Sequence, residues 1–157
     1  MQGTIVCAAQ TAQSAYDSQT VLRLVLFVDK QANATQSTLA DVFQTNANLT
    51  TPSGAINVPQ NLAQLGRFRV LKDKKISMVQ DSGTGSPTTA DVILPPLCRT
   101  FKFSIKFRKP LIVHFNSTNG GTYADIVENL VQFNAVASIT TMVPSINYYG
   151  RVAYSDV

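Results

Sequence analysis

The segment FKFSIKFR, residues 101–108, gives the clearest indication of the fold. Apolar residues occupy every second position in it, and polar or basic residues occupy the positions between. This period of two predicts a β-strand with one face in the core and the other against solvent or a ligand. The core face would hold Phe101, Phe103, Ile105 and Phe107, and the other face Lys102, Ser104, Lys106 and Arg108.

Short strand-like runs separated by turn-rich stretches continue on both sides of this segment. Residues 21–28 contain one charged residue, Arg23, which is typical of a strand that is covered on both faces. Residues 67–79 form a second long strand candidate, rich in basic residues. The remaining strand candidates are residues 3–9, 111–115, 131–142 and 147–154, and the main loops are residues 30–36, 46–66, 80–91 and 116–121.

Two short helices are predicted in the connections between strands. Ser37 or Thr38 can cap the first, whose apolar residues share one helix face: Leu39, Val42 and Phe43. Thr122 and Asp125 have the spacing of a capping box for the second, whose apolar stripe is Tyr123, Ile126, Val127 and Leu130. Because many short strands accompany so little helix, we predict an all-β sandwich or barrel. A chain of 157 residues fits a single domain, residues 1–157.

Charge is scarce in this chain and unevenly distributed. Charged residues make up 14% of the sequence, against about 25% in an ordinary soluble domain, so much of the surface is expected to lie against other protein. Residues 67–109 hold ten cations and three acids, whereas the rest of the chain is mildly acidic. A concentrated basic region predicts a surface for a polyanion. A solvated basic face without a ligand explains the charge equally well.

The basic region supplies the candidate binding residues. Lys and Arg on the open face of a sheet neutralise phosphates without reading sequence. The candidates are Lys102, Lys106 and Arg108, together with Arg67, Arg69, Lys72, Lys74 and Lys75. The phenylalanines of residues 101–107 alternate away from the cations, which argues against a face that stacks bases on aromatic rings.

The sequence predicts neither an enzyme nor a cofactor site. His114, the single histidine, lies in an apolar run and is interpreted as structural, and the acids are too scattered for paired-carboxylate chemistry. Cys7 and Cys98 have no metal-ligand spacing and predict reduced, buried thiols, which favours assembly inside a cell. No run of 18 apolar residues occurs, so no membrane segment is predicted.

Two segments resemble a known group of proteins. Residues 23–43, RLVLFVDKQANATQSTLADVF, place a strand ending in Asp29 before a polar N-x-T loop and a short helix. Residues 66–78, GRFRVLKDKKISM, carry an R-F-x-x-L-K-D core that runs from Arg67 to Asp73. Together they resemble the coat proteins of small circular Rep-encoding single-stranded DNA viruses, and they are similar to the coat protein of satellite tobacco necrosis virus. FKFSIKF (101–107) and NYYGRVAYSD (147–156) resemble the closing strands of such shells, so the similarity runs from about residue 20 to the end.

This resemblance implies a single eight-stranded viral jelly roll, a sandwich of two sheets with short helices in its loops. It implies self-assembly into an icosahedral T=1 shell of about 60 copies around a single-stranded genome that is bound non-specifically, and hence a location in the virion. In the plant satellite relative an acidic residue near the C-terminus lies at a calcium-binding subunit contact, so Asp156 is a candidate calcium ligand. Such coat proteins usually begin with a basic arm and a first strand. Neither is found at the start of this sequence, so we expect the native start to lie upstream of Met1.

A non-viral jelly-roll binding module, lectin-like or cytokine-like, is the alternative interpretation, since it shares the sandwich but not the function. A lectin site is expected to combine an exposed aromatic ring with carboxylates, whereas this sequence has no Trp and few acids. The formation of closed shells by the protein would distinguish the two interpretations.

Overall fold

The computed structural model describes residues 1–8, 18–44, 56–80, 98–116, 122–138 and 145–153. Strands predominate in these residues and form three antiparallel sheets, which confirms the predicted all-β class. The strands are β1 (Gln2–Ala8), β2 (Ser18–Asp29), β3 (Phe68–Gln80), β4 (Cys98–Ser104), β5 (His114–Phe115), β6 (Ile126–Glu128), β7 (Leu130–Ala137) and β8 (Ser145–Arg151). Residues 81–91 of the loop predicted at 80–91, most of the turn at 116–121, and Asp156 lie outside the described residues. Gln80 is the last residue of β3 and not part of the loop.

The chain divides into two compact units, and the larger comprises residues 23–76 and 107–138. Strand β2 lies between β3 and β7. All its side chains from Arg23 to Asp29 are buried, which confirms the prediction of a strand covered on both faces. A core cluster on one face joins Val25, Phe27, Val42, Phe43 and Phe68.

A single helical turn, α1 (Leu39–Val42), contributes to this core. It begins after Thr38, whose backbone N–H and hydroxyl donate to the Asp41 carboxylate at 2.7 and 2.8 Å. The short aspartate side chain thereby forms the reciprocal cap that Glu more often supplies. Phe43 ends the turn and pairs with Gln60 in an isolated β-bridge. The first predicted helix is therefore confirmed, with a length of one turn.

The second predicted helix is wrong. Its capping residues are placed as expected, since the Asp125 carboxylate accepts from the Thr122 N–H and hydroxyl at 3.4 and 3.2 Å. Only a 3-10 turn follows, however, and the chain then enters β6, which pairs with β5. Asn129, at a φ of 61°, separates β6 from β7. The β-branched residues Ile126 and Val127 suit a strand, and pairing with β5 outweighs the helical spacing of the apolar residues.

The smaller unit comprises residues 1–22, 77–106 and 139–157, and its sheet has the strand order β4–β1–β8. Ile5 lies opposite Phe101 on β4 and opposite Tyr148 on β8. Because side chains alternate along a strand, Ile5, Cys7 and Phe103 share one face, and all three are buried. The Phe103 ring stacks on those of Phe101 and Tyr148, with centroid distances of 6.4 and 6.2 Å.

Gly3 is required by this aromatic stack. It lies opposite Phe103 on β4 and Gly150 on β8. A Cβ atom at Gly3 would lie 2.5 Å from the Phe103 ring, which is closer than side-chain atoms approach one another in proteins. The ring therefore lies directly over the glycine backbone, a close approach that a missing side chain allows.

The alternation predicted for residues 101–108 is confirmed, but the strand is shorter than predicted. Phe103 is buried while Lys102 and Ser104 are exposed. Strand β4 ends at Ser104, although Ile105 still exchanges two backbone hydrogen bonds with Met1. Pro110, which has no N–H to donate, follows shortly afterwards. Lys102, Lys106 and Arg108 consequently do not lie on one strand, and Arg108 belongs to the larger unit.

Candidate nucleic-acid interface

Arg67, one of the predicted binding residues, forms an ion pair with the fully buried Asp29. Its Nε and Nη2 donate to the two carboxylate oxygens at 2.9 and 2.8 Å. The same carboxylate accepts from the Ser37 hydroxyl and, at 3.0 Å, from the Gln31 N–H. Asp29 ends β2, and Arg67 immediately precedes β3. The pair therefore joins the ends of two neighbouring strands.

The protonation of this pair follows from its surroundings. Burial by itself would raise the pKa of Asp29, but hydrogen bonds from Arg67, Ser37 and the Gln31 N–H outweigh it and lower that pKa. The hydrogen bond to Asp29 in turn raises the pKa of Arg67. The guanidinium charge is thus balanced within the chain, which leaves Arg67 poorly suited to neutralise a phosphate.

A second ion pair joins the buried Arg23 on β2 to Asp73 on β3, which is exposed. The Arg23 side chain is 4% exposed, and its Nε and Nη2 donate to the Asp73 carboxylate at 3.0 and 2.7 Å. Its Nη1 donates to the Val58 carbonyl at 3.0 Å, and the guanidinium lies 3.8 Å from the centre of the Phe43 ring. Every side of this cation is therefore occupied by a partner.

The other predicted cations of the larger unit are exposed. Four of them lie on β3 and flank Asp73 in the sequence: Arg69, Lys72, Lys74 and Lys75. Lys75 donates to the Asn57 side-chain oxygen at 2.9 Å, a neutral partner that leaves its charge unbalanced. Arg108 is exposed on the segment after β4. These residues retain the exposure that contact with phosphates requires.

Lys102 lies on the other side of the smaller unit's sheet from the aromatic stack. The register places Lys102, Thr4 and Tyr149 in one row across β4, β1 and β8, and Ser104, Gln2 and Arg151 in the next row. These six residues, which we call the polar face, line an open depression of about 600 Å³, within the range of roughly 300–1,000 Å³ found for small-ligand sites. None of the residues of β1, β4 and β8 is acidic.

Sequence reasoning placed Lys102 and Ser104 on this face and missed its four other members, of which Tyr149 and Arg151 matter most for binding. The alternation in residues 147–151 puts Asn147, Tyr149 and Arg151 on one side of β8. Which side that is depends on the register of β8 against β1, since Tyr149 must lie opposite Thr4 to join Lys102. The prediction that no aromatic ring lies on the face of the cations was based on β4 alone. It is wrong, because Tyr149 of β8 lies on the same face as Lys102.

Other chemically active side chains do not belong to the polar face. His114 is exposed, contrary to its apolar sequence context, and its Nε2 lies 3.9 Å from the Glu128 carboxylate across β5 and β6. Both cysteines are free. Cys7 is buried as predicted, and burial raises the pKa of its thiol, whereas Cys98 is exposed and its predicted burial is wrong. Among the described residues, no three His, Cys, Asp or Glu side chains converge as metal ligands.

The chain was compared with known proteins. No protein-family model matches it, and no curated protein matches it at a significant level. Among the described residues, no helix has the length and apolar composition that crossing a membrane requires.

Proposed function

We propose that this chain is the shell-forming coat protein of a small icosahedral virus, structural rather than catalytic in role, and that its described strands fill six of the eight positions of an eight-stranded viral jelly roll. A jelly roll forms when a long antiparallel hairpin of eight strands is rolled into a two-sheet sandwich. In the hairpin, strand 1 pairs with 8, 2 with 7, 3 with 6 and 4 with 5. Rolling adds the pairs 3 with 8 and 4 with 7.

The strand order is the observation that carries the proposal. If β1, β2, β3, β4, β7 and β8 take positions three to eight, the jelly roll requires the pairs β1–β4, β2–β3, β1–β8 and β2–β7. These are the pairs in the two three-stranded sheets. A meander would instead pair β1 with β2, because its neighbours in sequence are neighbours in the sheet. The small sheet β5–β6 is then an addition between positions six and seven.

Exposed apolar side chains support self-assembly. Ile112, Phe115 and Tyr123 are all exposed in the segment that contains β5 and β6. Large apolar residues exposed in one segment of the chain are candidates for contacts with other proteins. A subunit of a closed shell needs several such contacts, because it must touch more than one neighbour. The low charge of the chain agrees with extensive burial between subunits.

The resemblance of two segments to coat proteins is what favours a coat protein over other jelly rolls, and two ion pairs link those segments. The resemblance rests on residues 23–43 and 66–78, and a jelly roll alone would not distinguish a coat protein from a binding module. Asp29 pairs with Arg67, and Arg23 pairs with Asp73. Each ion pair thus joins one resembling segment to the other, so the two segments are neighbours in the fold.

Genome binding would then be non-specific. Seven of the eight candidate cations are exposed: Arg69, Lys72, Lys74, Lys75, Lys102, Lys106 and Arg108. Such residues neutralise phosphates through charge alone, so binding weakens as salt rises. The protein would assemble in the reducing interior of the host cell, where free cysteines persist, and would reside in the virion with the genome.

Assembly of the expressed full-length chain tests this proposal. Negative-stain electron microscopy and multi-angle light scattering should show closed spherical particles of uniform size. Phe115→Asp should reduce assembly and leave the subunit folded, because it places a charge on an exposed apolar surface. Gln36→Asp adds the same charge at an exposed polar position and is the matched control. A folded wild-type protein that remains monomeric at every salt concentration and pH would contradict the proposal.

A further inference from the structure

We propose that the polar face of the β4–β1–β8 sheet binds single-stranded nucleic acid by stacking a base on Tyr149, while Lys102 and Arg151 hold neighbouring phosphates. This deepens the packaging function proposed above, on which the choice of a nucleic-acid ligand rests. It adds base contact to a surface that would otherwise bind by charge alone.

The position of Tyr149 supports stacking. The residue is 68% exposed, although its neighbour in sequence, Tyr148, stacks on Phe103 on the opposite face of the sheet. Thr4 is the residue directly opposite Tyr149 on β1, and its side chain is too small to cover the ring. An exposed aromatic ring on a sheet surface is the platform on which proteins stack unpaired bases, and such stacking tolerates any base sequence.

The two cations flank this ring in different directions. Lys102 lies two strands away in the same row as Tyr149, or roughly 10 Å at the usual strand spacing. Arg151 lies two residues further along β8 on the same side, or roughly 7 Å at the usual rise per residue. A single-stranded nucleic acid that crosses the depression could therefore place a base on the Tyr149 ring and phosphates near Lys102 and Arg151.

Charge favours nucleic acid over a neutral sugar. Oligosaccharides also stack on exposed tyrosines, but their hydroxyl groups are commonly held by carboxylates. The three strands that form this sheet contain Arg99, Lys102 and Arg151 and no Asp or Glu. A polyanion therefore meets attraction and no opposing charge from these strands. Because a sulfated polysaccharide would share that attraction, the base contact must be tested separately.

Fluorescence anisotropy with a labelled oligothymidine, on the full-length chain, tests that contact. Tyr149→Leu should raise the dissociation constant about five-fold or more, the effect expected when stacking of one base is lost. Tyr149→Phe keeps an aromatic ring and should bind within about two-fold of wild type. Leu62→Ala removes an exposed apolar side chain from the larger unit, outside every contact proposed above, and is the control. An abasic oligonucleotide keeps the phosphates, so wild type and Tyr149→Leu should bind it equally.

Photo-cross-linking provides a test that needs no substitution. An oligonucleotide containing 5-iodouracil should form its main adduct with Tyr149 of the wild-type chain, because the halogenated base reacts with the ring on which it stacks. Four results would overturn the proposal: no binding of the oligonucleotide by wild type, unchanged binding by Tyr149→Leu, an equal loss on the abasic strand, or adducts located elsewhere. Preferential binding of a neutral oligosaccharide would favour the lectin-like alternative and would also overturn it.

Light scattering of the same samples separates this proposal from the coat-protein proposal. If uniform particles form but Tyr149→Leu binds the oligonucleotide as tightly as wild type, only the base-stacking proposal is refuted. Binding that depends on Tyr149 in a protein that never assembles would keep the nucleic-acid site and remove the shell.

Discussion

We expect the two partners of the Asp29–Arg67 ion pair to differ in how much stability the chain loses when each is replaced. Arg67→Met keeps most of the aliphatic stem but leaves a fully buried carboxylate with only the Ser37 hydroxyl and the Gln31 N–H as donors. Removing one partner of a buried pair in this way costs about 3–5 kcal/mol. Asp29→Asn instead leaves a guanidinium that is 31% exposed and can reach water, so the loss should be smaller, about 1–3 kcal/mol.

Both losses of unfolding free energy can be measured by urea unfolding of the unassembled full-length chain at pH 7, with circular dichroism as the signal. The double variant should be less destabilised than the sum of the two single variants, because the second substitution removes the charge that the first left unpaired. A coupling free energy of about 1–3 kcal/mol is expected. If Arg67→Met costs less than Asp29→Asn, or if the two changes are simply additive, the buried carboxylate does not depend on Arg67.

Acid titration tests the same pair independently. The pKa of Asp29 is lowered in the folded chain, so the folded state holds fewer protons than the unfolded state near and below an ordinary Asp pKa of about 3.9. The pair therefore contributes its full stability above that pH, and the contribution is lost as the pH falls through the lower, folded pKa. Asp29→Asn should flatten this acid dependence, and an unchanged slope would show that Asp29 does not supply it.

Two further predictions concern the basic residues and the aromatic stack. Replacing Lys102, Lys106 and Arg108 together by Ser should leave folding and particle shape unchanged, because all three are exposed. Packaged nucleic acid, measured by the ratio of absorbance at 260 and 280 nm, should fall modestly, whereas loss of assembly with normal folding would place these cations at subunit contacts. Gly3→Ala should destabilise the chain by about 1–3 kcal/mol through contact with the Phe103 ring. Phe103→Leu should partly relieve that strain in a thermal unfolding experiment, and a Gly3→Ala variant as stable as wild type would refute the close approach.

The local periodicity of the sequence predicted the strands whose burial pattern follows from their own residues. Phe103 is buried and Lys102 exposed because alternation along β4 is a property of the strand itself. The continuous apolar run in β2 likewise indicated burial on both faces. The segment after Asp125 has apolar residues at helical spacing, yet β6 forms there because β5 lies alongside it. That pairing is a tertiary contact, and local periodicity does not contain it.

The candidate site was predictable only where one strand defined it. Lys102 was identified from its own strand, whereas Tyr149 joins it through the register of β8 against β1. Arg67 was counted as a cation available to phosphates. It is held instead by Asp29, which precedes it by 38 residues, and composition alone does not reveal which charges are balanced inside the fold.

The residues that suggest a family and the residues that would perform its function are different sets. Asp29, Arg67 and Asp73 carry the resemblance, and each is engaged in an ion pair within the larger unit. Tyr149 and Lys102 lie on an exposed face of the smaller unit and carry no such pair among the described contacts. A substitution at Asp29 that abolishes assembly would therefore report on folding, because the subunit itself is weakened. A substitution at Tyr149 that alters binding while the unfolding midpoint stays unchanged would report on function, since the fold does not depend on that ring.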